Sequence, residues 1–277
     1  MTTPVELTSA DDAEIELQLL LEAIYRKFHW DFRRYSSGSL KRRLADALVF
    51  FGCATLSGLQ ERLIHDERVF PELIRFLTVQ VSELFRDAPF FHTLRRDIVP
   101  LLRTYPSLRI WIAGCSTGEE AYSYAILLQE EGLLDNTILY ATDINPDALR
   151  TAEAGVYAAD RLPLFTENHR LSGARVPLSA HYTEAYGAAV FNRSLRRKIV
   201  FSDHSLATDG GFAEMQLISC RNVLIYFDRE LQNRAIGLFK DSLCLRGYLG
   251  LGARETLRMT EHEHDFEEVA ERWYQRR

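Results

Sequence analysis

The chain has 277 residues, 47% of them apolar and 26% charged. That is ordinary globular usage and enough for one large domain or two smaller ones. A formal net charge of −6 argues against general nucleic-acid binding. Cys53, Cys115, Cys220 and Cys244 form no CxxC pair, as expected of reduced thiols.

The opening sixteen residues have no basic start and no apolar run, so no secretory signal is expected there. Apolar stretches such as 45–54 are too short to span a bilayer. Ser9 can cap a first helix, with Asp11 and Asp12 in its first turn. Leu17, Leu20, Leu21, Ile24 and Tyr25 then recur at helical spacing. A Ser-Ser-Gly-Ser break at 36–39 precedes a second helix over 40–51, and further helices are predicted over 59–66 and 70–80. The expectation is an all-helical domain over 1–80.

After about residue 101 the pattern changes. Residues 108–113 (LRIWIA) read as a strand, 119–131 as a helix stopping at Gly132, and 137–142 as a second strand. Asn145-Pro146 opens a helix that stops near Gly155. Later strands are predicted at 199–201, 215–219 and 248–251, with a long helix over 229–245. Alternating strands and helices predict an α/β domain over 81–277 with a parallel, doubly wound sheet. The irregular stretch 157–197 reads as a small inserted subdomain.

Ala113-Gly114-Cys115-Ser116-Thr117-Gly118-Glu119-Glu120 lies between the first predicted strand and its helix. Glycines there permit a tight turn and close approach to a ligand. Asp143 ends the next strand, where a carboxylate can accept ribose hydroxyls. The order favours a nucleoside-containing ligand over a bare turn. The spacing is not GxGxxG and no Walker lysine follows Gly118, so S-adenosylmethionine is favoured over a nicotinamide dinucleotide.

The stretch 110–123 (IWIAGCSTGEEAYS) resembles the signature loop of the chemotaxis receptor methyltransferases, the CheR family. Three more segments resemble family motifs, in family order: Leu84-Phe85-Arg86-Asp87, Ala141-Thr142-Asp143-Ile144-Asn145, and 220–228 (CRNVLIYFD). The resemblance implies a helical domain followed by a Rossmann-like methyltransferase domain. It also implies methyl transfer from S-adenosylmethionine to receptor glutamates, with S-adenosylhomocysteine as product. The implied partner is the cytoplasmic helical region of a chemoreceptor. A cytoplasmic monomer that neither inserts in a membrane nor binds nucleic acid is expected.

Gln80, Ser82 and Arg86 would line the cofactor site from the domain junction. Ala113, Gly114, Glu120 and Asp143 would hold the amino-acid and ribose portions, and Ser205 and Leu206 would lie beside the adenine. Arg221 and Asn222 would flank the methionine moiety. Arg86 and Tyr226 are the catalytic candidates, either one positioning the incoming carboxylate; a structural ion pair with Asp87 is the plainer reading of Arg86. Gln80, Ser82, Ala121, Ser205 and the stretch 251–255 (LGARE, against a family Gly-His-Ser-Glu) depart from the usual residues and mark a divergent branch. A non-catalytic S-adenosylmethionine-binding module is the alternative.

Cys115 and Cys220 read as packing residues. His181, His204, His262 and His264 show no convergent spacing, and no metal site is expected. Arg26, Lys27, Arg33, Arg34, Lys41, Arg42 and Arg43 form a basic stretch suited to docking an acidic helix.

Overall fold

A computed structural model describes residues 10–277. Ser9, the predicted first cap, lies outside them. Contacts divide the chain into two units, Met1–Val79 with Tyr226–Gln232, and Gln80–Ile225 with Asn233–Arg277.

The first unit contains helices α1 (Ala10–Phe28), α2 (Ser37–Phe51), α3 (Leu56–His65) and α4 (Val69–Leu77). Leu17, Leu20, Leu21 and Ile24 of α1 are buried, as their spacing predicts, together with Leu40, Leu44, Leu59, Leu63 and Leu73. Boundaries shift where local chemistry overrides periodicity. Thr55 caps α3 by accepting from Gly58 N at 3.1 Å, which starts that helix three residues before the predicted 59. Thr78 turns extended and ends α4 before the predicted 80. The 226–232 segment joins this unit through a bridge from Phe227 to Tyr35 and a Ser36 N–H donated to Tyr226 O at 2.7 Å. No single helix among the described residues is long and apolar enough to cross a membrane.

The second unit opens with α5 (Ala88–Thr93), a π-turn at Leu94–Ile98 and α6 (Val99–Leu102). There follow β1 (Leu108–Ala113), α7 (Glu119–Glu130), β2 (Thr137–Asp143) and α8 (Pro146–Ala154). Next come β3 (Val156–Ala158), α9 (Leu162–Leu171), β4 (Tyr182–Ala185), β5 (Ala188–Phe191) and α10 (Arg193–Arg196). The chain closes with β6 (Ile199–Asp203), β7 (Met215–Cys220), α11 (Arg229–Ser242), β8 (Leu243–Leu251), β9 (Phe266–Ala270) and β10 (Trp273–Arg276).

The main sheet has the order β6-β2-β1-β7-β8-β10-β9. Its first five strands are parallel, as predicted. The last two correct the all-parallel expectation: β10 runs antiparallel to β8 and to β9. A further correction concerns α11, which ends at Ser242; residues 243–247, predicted as helix or turn, begin the long strand β8. In the stretch that reads as irregular, β3, β5 and β4 form a separate three-stranded antiparallel sheet.

Helix α7 is buried on nearly every side, from Ala121 through Leu128. Such a helix belongs to the interior of its domain. Trp111 of β1 is fully buried, donates to Thr142 Oγ1 at 2.8 Å and meets Phe239 of α11 edge-on.

A buried polar clamp ties α7 to the inserted segment. Glu130 Oε1 faces Nε2 of His169 at 2.9 Å and of His181 at 3.1 Å, while Oε2 accepts from Arg95 at 2.7 Å. Arg95 also donates to Glu131 at 2.8 Å, and Arg103 to the same carboxylate at 2.9 Å. Two histidines therefore do converge, contrary to the sequence reading; separations of 39 and 51 residues from Glu130 hid this. A carboxylate with two imidazoles is a metal-ligand set, and here Arg95 also pairs with that carboxylate at 2.7 Å.

Burial alone would raise the Glu130 pKa, but hydrogen bonds from His169, His181 and Arg95 outweigh it and hold the group down at about 2. A depressed carboxylate stabilises the fold above its unfolded pKa of about 4.3 and loses that contribution as pH falls through the folded value. Glu130→Gln is therefore expected to cost about 3 kcal/mol at neutral pH. It should also flatten the acid limb between about pH 4.3 and 2, read as urea midpoints against pH.

Candidate active site

The carboxyl ends of β1, β2 and β7 carry the predicted motifs, beside the point where the order of the main sheet reverses. Open α/β sheets bind ligands at such a point. Gly114 has φ +75°, and a Cβ there would lie 2.4 Å from Val223 Cγ2. Gly118 has φ +93° and faces the α8 backbone, with Ala152 Cα 2.9 Å from the Cβ position. Only glycine meets both demands. The turn between them is fastened to β2 by Gly114 N and Cys115 N, which both donate to Thr142 O at 2.8 Å.

Asp143 closes this turn. Its Oδ2 accepts from Ser116 N at 2.8 Å and its Oδ1 from Asn145 N at 2.9 Å. Burial raises its pKa, against the opposing pull of backbone donors and Gln80. Gln80 Oε1 accepts from Ser116 Oγ at 2.7 Å, so Gln80, Ser116 and Asp143 form one knot. The chain after β6 runs alongside: His204 N donates to Asp143 O at 3.3 Å, and Ser205 and Leu206 follow. Ser205 Oγ is buried and without a hydrogen-bond partner among the described residues.

A second knot centres on Arg221, which is 5% exposed. Its guanidinium donates to Glu120 Oε2 at 3.0 Å, Asp87 Oδ2 at 2.9 Å and Arg86 O at 2.7 Å, and lies 4.1 Å from the Phe90 ring centroid. Ser219 Oγ adds a bond to Glu120 Oε1 at 2.6 Å. Asp87 thus pairs with Arg221, and the plainer alternative for Arg86, an ion pair with Asp87, does not form. Half-buried Arg86 makes no ion pair among the described residues; its only close acceptor is Val81 O at 3.4 Å.

The 80–87 segment is held from behind. Arg161 donates to Ser82 O, Asn168 to Leu84 O at 3.1 Å, and Ser123 Oγ faces Phe85 N at 2.7 Å. Arg161 also pairs with the fully buried Glu119 at 2.6 Å. Phe85, Asp87, Ser116 and Asn222 all have left-handed backbones, with φ between 50° and 60°. Such strain in non-glycine residues gathers where a site must be shaped. Tyr226 belongs to the helical unit, where its ring faces Arg43 at 5.6 Å. Cys115 and Cys220 are buried and burial pushes their thiols up, as suits packing residues.

The family model described as the CheR methyltransferase SAM binding domain matches residues 80–275, and that for its all-alpha domain matches 15–78. The chain belongs to the CheR methyltransferase family. A provisionally named methyltransferase, Cher3, of Pseudomonas putida KT2440 is 54% identical over 261 residues, covering 94% of this chain and 96% of the relative. The chemotaxis protein methyltransferase of Listeria innocua is 30% identical over 248 residues, covering 89% and 92%.

This CheR-family chain is an S-adenosylmethionine-dependent methyltransferase with a Rossmann-like catalytic domain. Its residues fit that cofactor. The buried, unpartnered Ser205 Oγ suits a polar base, and the acidic ends of β2 and α7 suit ribose hydroxyls and an ammonium.

Proposed function

We propose that the enzyme methylates glutamate side chains in the cytoplasmic helical region of a chemoreceptor. The observation that supports this reading is Arg86, whose carbonyl accepts from Arg221 at 2.7 Å and whose guanidinium makes no ion pair among the described residues. S-adenosylmethionine supplies an electrophilic methyl on a sulfonium. A glutamate carboxylate, with a reference pKa of about 4.3, is ionised at neutral pH and needs no base to attack it. The protein's work is alignment and exclusion of water.

In this reading Asp143 accepts the ribose hydroxyls, with Gln80 closing the same knot through Ser116. Ala113 and Gly114 provide close backbone approach. Ser205 and Leu206 flank the adenine. Glu120 takes the cofactor's ammonium, with Arg221 and Asn222 beside the methionine and Ser82 at the junction. Arg86 or Tyr226 orients the incoming carboxylate. The domains run over 1–80 and 81–277, with an inserted subdomain at 157–197, and the protein works as a cytoplasmic monomer.

The basic stretch of the helical domain supports a narrower docking face than its sequence suggests. Arg26 and Arg33 pair with Glu22, Arg34 with Glu230, and Lys41 with Glu14. Lys27 is turned to the Leu63 and Ile64 carbonyls, and Arg43 to those of Ser39 and Leu77. Arg42 stays exposed with no ion pair among the described residues.

Arg86→Ala should lower turnover at least about a hundredfold, a larger loss than any weakening of S-adenosylhomocysteine binding. Radiolabelled methyl transfer to receptor membranes, with base-labile release of methanol, measures it. Wild-type turnover would remove Arg86 from the reaction, and no label transfer by the wild type would overturn the substrate assignment.

A further inference from the structure

Glu255 lies in the stretch where the sequence departs from the family pattern, yet the residue is 4% exposed and its carboxylate faces a row of backbone amides. Oε2 accepts from Gly252 N at 2.7 Å and Asn222 N at 2.9 Å, and Oε1 from Val223 N at 2.8 Å. The Leu224 amide bonds the same group. Arg221, Asn222 and Val223 follow β7, a strand parallel to β8, and Glu255 follows β8. The carboxylate therefore staples together the ends of two neighbouring strands.

What it staples is functional geometry. Asn222 holds a left-handed backbone with φ 60°, which a loop without compensating bonds would relax. Val223 Cγ2 is the atom packed against Gly114. Arg221, the residue before Asn222, carries the bonds to Glu120, Asp87 and Arg86 O. An anion is the right partner for converging N–H groups. Bonds of that kind are shorter and stronger than neutral ones.

We infer that Glu255 is a positioning residue for cofactor binding, acting through the 221–224 loop without touching the cofactor. The inference rests on the proposed roles of Arg221 and Asn222. Glu255→Gln keeps the shape but turns an amide NH₂ toward backbone donors. Gly252→Ala keeps the carboxylate but drives a Cβ to 2.7 Å from its Oε2 and 2.8 Å from Asn222 N.

Calorimetric titration with S-adenosylhomocysteine tests the inference, alongside melting curves and amide spectra of the Asn222, Val223 and Gly252 N–H groups. The expected result is a dissociation constant raised at least about tenfold in either variant that folds, with the three amide resonances displaced. A folded variant with wild-type affinity would overturn the inference, however far its melting point had dropped. Should neither fold, hydrogen exchange in the wild type decides: slowing at Asn222 and Val223 on ligand binding is expected, and no slowing counts against it. Wild-type protein that takes up no ligand would refute the cofactor assignment itself, a separate outcome.

Discussion

Asp143→Ala is expected to raise the dissociation constant for S-adenosylhomocysteine about a hundredfold. Two contributions add. A ribose donating to a carboxylate forms charge-assisted bonds worth about 1.5–3 kcal/mol each, and about 1.4 kcal/mol is a factor of ten. The same carboxylate fixes Ser116 N and Asn145 N, so its loss also loosens the turn that must approach the ligand. Asp143→Asn should fall between, because the amide oxygen still accepts one bond. The raised pKa sets a pH signature. The ionised form is the better acceptor, so affinity should weaken on acidification, beginning above the ordinary aspartate range. Titration calorimetry from pH 7 downward measures this. An affinity unchanged in the alanine variant would place the ribose elsewhere.

Arg221→Met should act on stability and binding together. The guanidinium is buried, and its removal strands Glu120 and exposes the Arg86 carbonyl. Breaking a buried pair from one side costs about 3–5 kcal/mol; the low end is expected here because Asp87 stays partly solvated. The variant should melt several degrees lower and bind S-adenosylhomocysteine at least about tenfold more weakly. Restoring charge balance with Asp87→Asn in the same chain should recover part of the stability and none of the binding. Equal recovery of both would mean that Arg221 serves only the fold.

The parts of this molecule that speak in the sequence are those whose cause is local. The β1 run LRIWIA is strand-forming and apolar, and its predicted limits match the observed ones. Asn145 accepts from Asp147 N and Ala148 N at the start of α8, the cap that Asn-Pro announces. The parts that stay silent depend on distant partners. Arg221 meets Asp87 across 134 residues, and Glu130 meets His181 across 51. Glu255 takes its partners from the backbone, which carries no residue signature. β9 is the edge strand and β10 its inner neighbour, both with mixed polar residues (FEEVA, WYQR), so no alternation marks them. Arg43 looks like one more surface cation until its carbonyl partners are seen.

Helix α7 is twelve residues long, about 18 Å, and the inserted segment grips it at both ends. Arg161 holds Glu119 at one end; His169 and His181 hold Glu130 at the other. Two-point attachment to a rigid rod removes the hinge freedom that a single anchor would leave. The small sheet is thus a bolted cassette whose outer hairpin at Tyr186 and Gly187 stands fully in solvent. An exchange of that hairpin should therefore leave the geometry of the cofactor turn unchanged.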